Sequence, residues 1–507
     1  MNIEPIYEEL NLKSDAKKLF AETKIECNTG ISTEDAVRIL AVSSHATVGT
    51  EEILGDSLSC ACRAIFCMVF RDSLGNLRKA ECGTEFSNRL TVSDVAPNCK
   101  SKTTVTVRKV TIDTSGTNVI LTAICALETE FTQTVSVKAL SGGDGLIFRK
   151  CDKNTVREVT VKKATYPVEE EFELGYSVGE VLLHNANAVI TASQCGVGSL
   201  ICDGEIILSL SLLQKIQNSD ILKETKVIPF RLETECLDAM PTCPATAFAT
   251  VKSVKLDITV DETTGKSKVL AVINLEISGS FYEQTEKQLI TDAYCPSCEI
   301  TTDKKEVSYT VPQSEKVVDV KVNAKGVFTN SLDAGTRLMC CSNEKVTLTS
   351  VRAENTVINV EGVIESVAFC KDIESRIFSV PIEAPFKATL EVDIGENDYF
   401  VDSVIYELGA RIISLEDFEF EGVIKFRVRT AKTENLCVLT GFEQGEEKKL
   451  NSSAISVYIP MAGEELWDVA KRLNTCPDVI TALNGDLAFP LTGNERIVIY
   501  RQEKKEY

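Results

Sequence analysis

Phe86 to Asp113 reads FSNRLTVSDVAPNCKSKTTVTVRKVTID, and Phe230 to Asp257 reads FRLETECLDAMPTCPATAFATVKSVKLD. Six residues keep one spacing in both stretches, displaced by about 144 residues. They are Phe86, Asp94, Pro97, Val107, Val110 and Asp113 in the first stretch, and Phe230, Asp238, Pro241, Val251, Val254 and Asp257 in the second. Self-similarity at a fixed interval is typical of duplication. The sequence therefore predicts that one structural unit was copied along the chain.

A third, more diverged copy follows the first two. Phe386 stands where Phe86 and Phe230 stand, and it precedes Val404 to Glu407 and the strand-like run Gly422 to Val428, with a few residues deleted. Further features recur at comparable places: the opening segments Lys24 to Cys27, Glu171 to Leu174 and Val318 to Val322, and the later glycines Gly55, Gly204 and Gly362.

Alternating apolar residues run through these units. Leu58 to Phe70, Ile206 to Leu210 and Val357 to Phe369 each place apolar side chains at every second position, which predicts half-buried strands. Pro5 to Phe20 is the one N-terminal stretch with loose helical spacing, and we expect a helix there. The predicted fold is mainly β: three tandem β-rich repeat domains followed by a small α+β module of βααβ order.

The domain boundaries follow from polar stretches between the copies. Asp152 to Thr155 and Thr301 to Lys305 are polar enough to join units. We expect the first repeat, with its helix, at 1–150, the second at 151–303 and the third at 304–443. A charged linker is expected at 444–455, before a C-terminal module at 456–507. Three units in a row predict a scaffold with binding surfaces in series.

The C-terminal module has its own pattern. Val457 to Ile459 and Arg496 to Tyr500 read as short strands, and Leu466 to Leu473 has helical spacing. Pro477 to Leu483 begins with Pro-Asp, which suits a helix N-terminus, and Asn484-Gly485 ends it.

This module resembles a LysM domain, on Gly463 to Leu473 after a short strand, on Ile480 to Asn484, and on Ile497 to Ile499 after Pro490. The resemblance implies a groove for N-acetylglucosamine chains between the two strand-to-helix loops. The residues implied to line it are Gly463, Glu464, Glu465, Asn484, Gly485, Phe489 and Pro490. Glu464-Glu465 replace the usual acidic-hydroxyl pair, and Pro490 to Gly493 replaces a tight Pro-Gly turn. A LysM scaffold reused for a protein partner is therefore the alternative to a glycan site.

Three repeats followed by one terminal LysM-like module resemble the SPOCS-domain proteins of spore-forming Firmicutes, of the SipL type. The resemblance implies spore coat morphogenesis in the mother cell, at the forespore surface, without enzymatic activity. The LysM-like module would dock onto a SpoIVA-type coat ATPase or another coat protein. The alternative function is binding of peptidoglycan or chitin oligomers in the cell wall or cortex.

The composition of the chain limits the kinds of partner that it can bind. The formal net charge of -21 repels phosphate backbones and anionic membranes, so neither nucleic acid nor membrane insertion is expected. Met1 to Leu10 carries three glutamates and no basic, apolar leader, and the apolar runs Ala64 to Phe70 and Val119 to Leu127 are shorter than the roughly 20 residues of a membrane span. We therefore expect a cytoplasmic protein.

Residues that could carry chemistry are scattered. The nineteen cysteines favour buried free thiols, while metal sites and late crosslinking remain alternatives. Cys295-Pro296-Ser297-Cys298 is half a zinc or redox motif. His45 and His184 lie at comparable places in two copies, and Thr264 to Ser267 reads as a hairpin tip and not a phosphate loop. No set supplies nucleophile, base and oxyanion donors together, so we predict no enzyme, no cofactor and no metal.

Overall fold

The computed structural model describes residues 3–13, 17–91, 99–215, 220–261, 263–354, 356–395, 397–448, 455–485 and 487–500. The described residues form twenty-one strands and two short helices. Neighbouring strands pair antiparallel throughout the described ladders. The prediction of a mainly β chain is confirmed.

Three consecutive sets of strands make up most of the chain. The first set is β1 Pro5–Lys13, β2 Lys17–Ser32, β3 Arg38–Leu54, β4 Ser57–Arg71, β5 Leu77–Thr91, β6 Cys99–Asp113 and β7 Asn118–Gly143. The second set is β8 Ile147–Leu174, β9 Val178–Cys195, β10 Ser199–Gln214, β11 Ile221–Glu235, β12 Ala245–Asp261 and β13 Lys266–Tyr294. The third set is β14 Cys298–Val327, β15 Arg337–Glu354, β16 Val357–Lys371, β17 Ile377–Glu391, β18 Asp398–Ile412 and β19 Asp417–Glu447.

All three sets follow one strand order. In each, three consecutive strands form a sheet: β3-β4-β5, β9-β10-β11 and β15-β16-β17. A second sheet places the last strand of the set between two others: β7 between β6 and β2, β13 between β12 and β8, and β19 between β18 and β14. β7 also pairs with β1. In the first set, two strands, β1 and β2, therefore pair along the last strand, where the second and third sets each use one long strand, β8 or β14.

Each set buries apolar side chains between its two sheets. Phe66 of β4 and Leu121 of β7 belong to one buried cluster, and Leu208 of β10 and Leu275 of β13 belong to another. The third set has a corresponding cluster. The alternation predicted for Leu58 to Phe70 produces this burial, because successive strand residues point to opposite faces.

The recurring phenylalanines occupy one register position in the three-stranded sheets. The cross-strand pairs are Phe86 with Cys62, Phe230 with Gly204, and Phe386 with Gly362. Gly55 instead lies in the turn before β4, with a φ of 60°. The prediction that Gly55 matches Gly204 and Gly362 is therefore wrong, since Cys62 takes that place in the first set.

The predicted N-terminal helix is also wrong. Pro5 to Phe20 contributes β1 and the start of β2, while residues 14–16 lie outside the described residues. Leu10 and Leu12, two positions apart, are both buried against Val307 and Tyr309 of β14. This period-2 burial, with a ladder along β7, outweighs the loose helical spacing.

The joins between sets lie a few residues earlier than the polar stretches suggested. The chain turns at 144–146 and at 295–297, whereas Asp152 to Thr155 and Thr301 to Lys305 lie inside β8 and β14. Long ladders with β13 and β19 satisfy the backbone of these polar segments, so they remain strands. Of the predicted linker at 444–455, residues 444–447 belong to β19 and 449–454 lie outside the described residues.

The three sets do not lie in series; they pack around shared cores. One buried cluster draws on all three sets: Leu40, Ala41, Cys67, Val69, Leu182, Leu183, Ile221, Cys340, Phe369 and Ile377. A second forms where three two-stranded ribbons meet, namely β1 with the end of β7, the start of β8 with the end of β13, and the start of β14 with the end of β19. The prediction of surfaces in series is therefore wrong, because apolar faces left by each set are buried against the others.

Four short elements follow β19 among the described residues. They are β20 Ile455–Tyr458, α1 Leu466–Leu473, α2 Pro477–Asn484 and β21 Ile497–Tyr500, and β20 pairs antiparallel with β21. Their bounds agree with the predicted helices and strands to within a few residues. Within the described residues, neither helix has the length and apolarity that a membrane span requires.

Candidate functional site

The C-terminal elements enclose a small core. Its buried members are Trp467, Val469, Ala470, Ile480, Leu491, Ile497 and Ile499, joined by Tyr294 from the end of β13. Helix α1 starts at the N-cap Glu465, whose backbone N–H donates to Asp468 Oδ2 at 3.3 Å. Helix α2 starts with Pro477 at its first position, as the Pro-Asp signal predicted.

Hydrogen bonds connect the two loops that the sequence analysis expected to border a groove. The Gly463 N–H donates to the Leu491 carbonyl at 2.7 Å, and the Leu491 N–H donates to the Glu464 carbonyl at 2.9 Å. Gly463 has a φ of 90°, a conformation that favours glycine. A Cβ on Gly493 would lie 3.1 Å from the Ala462 backbone nitrogen. The loops are therefore in direct contact at this point.

The Glu464 side chain supports the contact between the two loops from inside the module. It is buried and accepts hydrogen bonds from the Tyr458 hydroxyl at 2.9 Å and from the Met461 N–H at 2.9 Å. Arg472 forms an ion pair with it at 2.6 Å. Burial and the hydrogen bond to Glu464 raise the pKa of Tyr458. The carboxylate that was expected to face a sugar is therefore engaged within the protein.

Asn484 is engaged in the same way at the other end of the module. Its side-chain amide donates to the carbonyls of Ile480 and Val498, each at 2.8 Å, and its side-chain oxygen accepts from the Val498 N–H at 2.6 Å. These bonds connect the end of α2 to β21. The structure thus gives Asn484 a supporting position and leaves few of its hydrogen-bonding groups for a ligand.

The remaining predicted groove residues divide into two kinds. Phe489 is half-buried and packs against the module core. Gly463, Glu465, Gly485 and Pro490 are exposed. The structure brings Gly463 and Glu464 next to the loop that holds Pro490, whereas Asn484 and Gly485 belong to the end of α2 beside β21.

One surface of the module was missed by sequence reasoning. The outward side of the β20–β21 sheet carries four exposed apolar residues, and a fifth follows directly after β20. We call these residues the outer face: Ile455, Val457, Val498 and Tyr500 on the sheet, and Ile459 after it. Val457 is 58% exposed and pairs directly with Val498, and Tyr500 is 57% exposed and pairs with Ile455. The signal was present in the sequence, because the apolar residues Val457, Tyr458 and Ile459 follow one another without alternation.

The module is docked on the ribbon of the second set. The Trp467 indole N–H donates to Asp292 Oδ2 at 2.8 Å, and Lys471 pairs with the same carboxylate at 2.7 Å. Tyr294 packs edge-on against Trp467 with ring centroids 5.0 Å apart. Burial raises the pKa of Asp292, but the bonds from Lys471 and Trp467 outweigh it and hold the pKa below its usual range. The outer-face residues are exposed, whereas Trp467 belongs to the buried core of the module.

The histidines occupy different register positions. His45 lies opposite Ile65, three positions after Cys62, while His184 lies opposite Leu210, six positions after Gly204. Burial lowers the pKa of both histidines. Both histidines lie between the opening segment and the following strand of their copies, as predicted, on the corresponding strands β3 and β9, but at different register positions.

None of the nineteen cysteines forms a disulfide. Cys295 and Cys298 are buried at the turn between β13 and β14, where Lys448 donates to the Cys295 carbonyl at 2.9 Å. Among described residues, no three His, Cys, Asp or Glu side chains lie close enough together to hold a metal ion. Thr264 and Gly265 form the turn between β12 and β13, where the Thr264 hydroxyl donates to Asp261 at 2.8 Å.

Comparison with known proteins found no matching family model, no matching curated protein and no matching solved structure.

Proposed function

We propose that this chain is a non-enzymatic assembly protein of the spore coat, and that its LysM-like C-terminal module binds a coat protein of the SpoIVA ATPase type. The observation that carries the proposal is the contrast between two surfaces of the module. The polar groups of Glu464 and Asn484, two of the expected groove residues, form hydrogen bonds within the protein. The outer face instead exposes five apolar side chains, four of them on one sheet.

An exposed apolar patch of this kind favours a protein partner over a glycan. Sugar binding needs free hydrogen-bonding groups placed around a groove, whereas a patch of aliphatic and tyrosine side chains gains free energy by burial against another apolar surface. Val457 and Val498 lie at the centre of the patch, and Tyr500 adds an aromatic side chain of the type enriched at interfaces.

The three sets of strands are proposed to be SPOCS-like copies of one domain. Support comes from the shared strand order and from the register of Phe86, Phe230 and Phe386. A contact between sets also recurs: His45 Nε2 lies 3.1 Å from the Val251 carbonyl, and Lys345 donates to the Val107 carbonyl at 3.4 Å. Val107 and Val251 are equivalent residues of the repeated stretch. The copies would thus form one body that carries the module.

The test is a binding titration of the full chain with a purified SpoIVA-type ATPase. The Val457→Lys/Val498→Lys double variant should lose binding, because two charges would enter the apolar contact. Leu74→Lys is the matched control: Leu74 is 84% exposed in the turn between β4 and β5, outside the module, and the variant should bind as the parent does.

The glycan alternative is tested in parallel with chitin hexamer and with the groove variants Glu465→Ala and Pro490→Ala. We expect no saturable binding of the hexamer to the parent chain. Saturable binding that the groove variants remove and the outer-face variant retains would overturn the proposal in favour of a glycan-binding protein. In sporulating cells, deletion of 456–507 should abolish localisation around the forespore.

A further inference from the structure

A cavity of about 870 Å³ lies where the three strand sets meet. The first set contributes Lys102 from β6, the second contributes Phe248 from β12, and the third contributes Glu315 from β14 and Arg429 from β19. Serine and threonine residues line much of the remaining wall. The volume is in the range of small-molecule sites, which are commonly 300–1,000 Å³.

Three cationic side chains converge on one aromatic ring at this cavity. The Lys102 ammonium lies 2.8 Å from the centroid of the Phe248 ring, and the guanidinium carbons of Arg427 and Arg429 lie 4.9 Å and 4.7 Å from it. The ring attracts each cation, but the like charges repel one another at this spacing. Such a cluster is stabilised when anionic groups lie beside it.

The carboxylates nearby neutralise only part of the cluster. Glu315 Oε1 pairs with Arg427 at 2.8 Å, and Asp402 pairs with Arg429 at 3.2 Å. Lys102 has no carboxylate within ion-pair distance among the described residues. The Nε of Arg429 is buried and has no hydrogen-bond acceptor in the described structure. Two cationic donors at the cavity are therefore unused.

One acceptor at the same place is unused as well. Glu315 Oε2 is buried without a hydrogen-bond donor among described residues, and Glu315 is the direct cross-strand partner of Arg429. Directly opposed side chains on paired strands lie about 4.5–5.5 Å apart at Cβ. Leaving a buried polar group unsatisfied lowers stability, so a bound molecule that supplies two acceptors and one donor would stabilise this cluster.

We propose that this cavity binds a small oxyanion that also carries a hydroxyl group, such as hydrogen phosphate or a hydroxy acid. Lys102 and Arg429 donate to its ionised oxygens, and Glu315 Oε2 accepts from its hydroxyl. Phe248 forms the wall beneath it.

Other charges around the cavity restrict the position of the anion. Glu130 lines the cavity but pairs with Lys18 at 3.3 Å, and Asp398 accepts from the Thr433 hydroxyl at 3.0 Å. Both carboxylates would repel an anion placed next to them. The anion therefore lies on the side of Lys102 and Arg429.

The protonation state of Lys102 makes the binding pH-dependent. Burial and the charge of Arg429 lower the pKa of Lys102 to about 7, with Arg427 adding to this effect and Glu130 and Asp402 opposing it. A bound anion favours the charged ammonium, so binding takes up a proton near neutral pH. The affinity for an anion whose own charge is constant over this range should fall as pH rises from 6.5 to 8.5.

The experiment is isothermal titration calorimetry of the full chain with inorganic phosphate at pH 6.5, with ionic strength held constant by sodium chloride. Sulfate is the comparator, because it has the same shape and no hydroxyl at this pH. We expect phosphate to bind at least about tenfold more tightly than sulfate, since sulfate leaves Glu315 facing an oxygen without a proton. Lys102→Met should weaken phosphate binding by about tenfold or more.

Lys109→Met is the matched control, because Lys109 is an exposed residue of the same strand β6. This variant should bind phosphate with the affinity of the parent. Glu315→Gln should reduce the preference for phosphate over sulfate. Line broadening of the phosphate 31P resonance by the parent chain gives a second measurement that needs no variant. Absence of saturable heat and of broadening would show that water alone fills the cavity and would overturn the proposal, as would equal affinities for phosphate and sulfate.

Discussion

Trp467 donates its indole N–H to Asp292 across 2.8 Å, joining the C-terminal module to a strand that lies 175 residues earlier in the chain. The carboxylate also receives Lys471, and Tyr294 covers the indole ring. Since Trp467 is the sole tryptophan of the chain, its fluorescence reports this docking directly.

Asp292→Ala should weaken the docking of the module. The indole N–H and the Lys471 ammonium would both lose their acceptor, at a cost of about 1–3 kcal/mol. We expect red-shifted emission and stronger acrylamide quenching. Asp152→Ala, at an exposed position of β8, should leave both unchanged. Because the pKa of Asp292 is lowered, its contribution is present above the ordinary value of 3.8 and is lost as pH falls through the folded-state pKa.

Glu464→Ala should destabilise the module by about 2–3 kcal/mol, because Tyr458, the Met461 N–H and Arg472 would lose a common partner. Thermal unfolding followed by tryptophan fluorescence measures the effect. Glu465→Ala changes an exposed helix N-cap and should cost no more than about 1 kcal/mol. Equal effects of the two variants would contradict a supporting role for Glu464.

Asn484→Ala should destabilise the module by about 2 kcal/mol, since the carbonyls of Ile480 and Val498 and the Val498 N–H would lose their bonds. Exposed Asn494 provides the control, and Asn494→Ala should be nearly neutral. If Asn484→Ala left the unfolding temperature unchanged, the side chain would be available for a ligand after all.

Gly362→Ala should destabilise the third strand set by about 1–3 kcal/mol. A Cβ there would lie 2.6 Å from the Phe386 ring and 2.6 Å from the Thr347 carbonyl, and the latter is backbone that cannot move aside. Gly116→Ala should cost much less, as its nearest neighbour would be 3.9 Å away. Urea denaturation of the two variants measures the difference.

Lys102 should make stability depend on pH in a defined direction. Its pKa is about 7 in the folded protein against an ordinary 10.5, so between these values the unfolded chain binds a proton that the folded chain does not. Stability from this group therefore rises with pH over that interval. The unfolding free energy of the parent minus that of Lys102→Met should rise from pH 7 to about 10. Below pH 6.5 this quantity should stay level. A level difference across the whole range would show that the pKa is unshifted.

Local patterns predicted much of the secondary structure. Leu58 to Phe70 alternates and forms β4, and the stripe from Leu466 to Leu473 forms α1. These predictions hold because strand and helix periodicity depend on a few neighbouring residues. The helix predicted for Pro5 to Phe20 was wrong because the conformation of this stretch depends on residues that are distant in sequence. These are β7 and the core that the three ribbons share.

The candidate site was predicted only in part. The sequence indicated the two loops at Gly463 and Pro490, and the structure places them in contact. The sequence did not indicate that Glu464 and Asn484 turn inward, because hydrogen-bond partners such as Tyr458 and Val498 depend on the packing of the module.

The sequence by itself determined that the chain is built of strands, that a stretch recurs at a constant interval, and that two helices precede the last strand, since each rests on periodicity along the chain. Only the tertiary structure decided that the three strand sets enclose a common cavity and that Lys102, Phe248 and Arg429 meet there. The physical reason is that apolar burial between sheets is not directional, so the sequence of each set does not specify which distant set covers its remaining face.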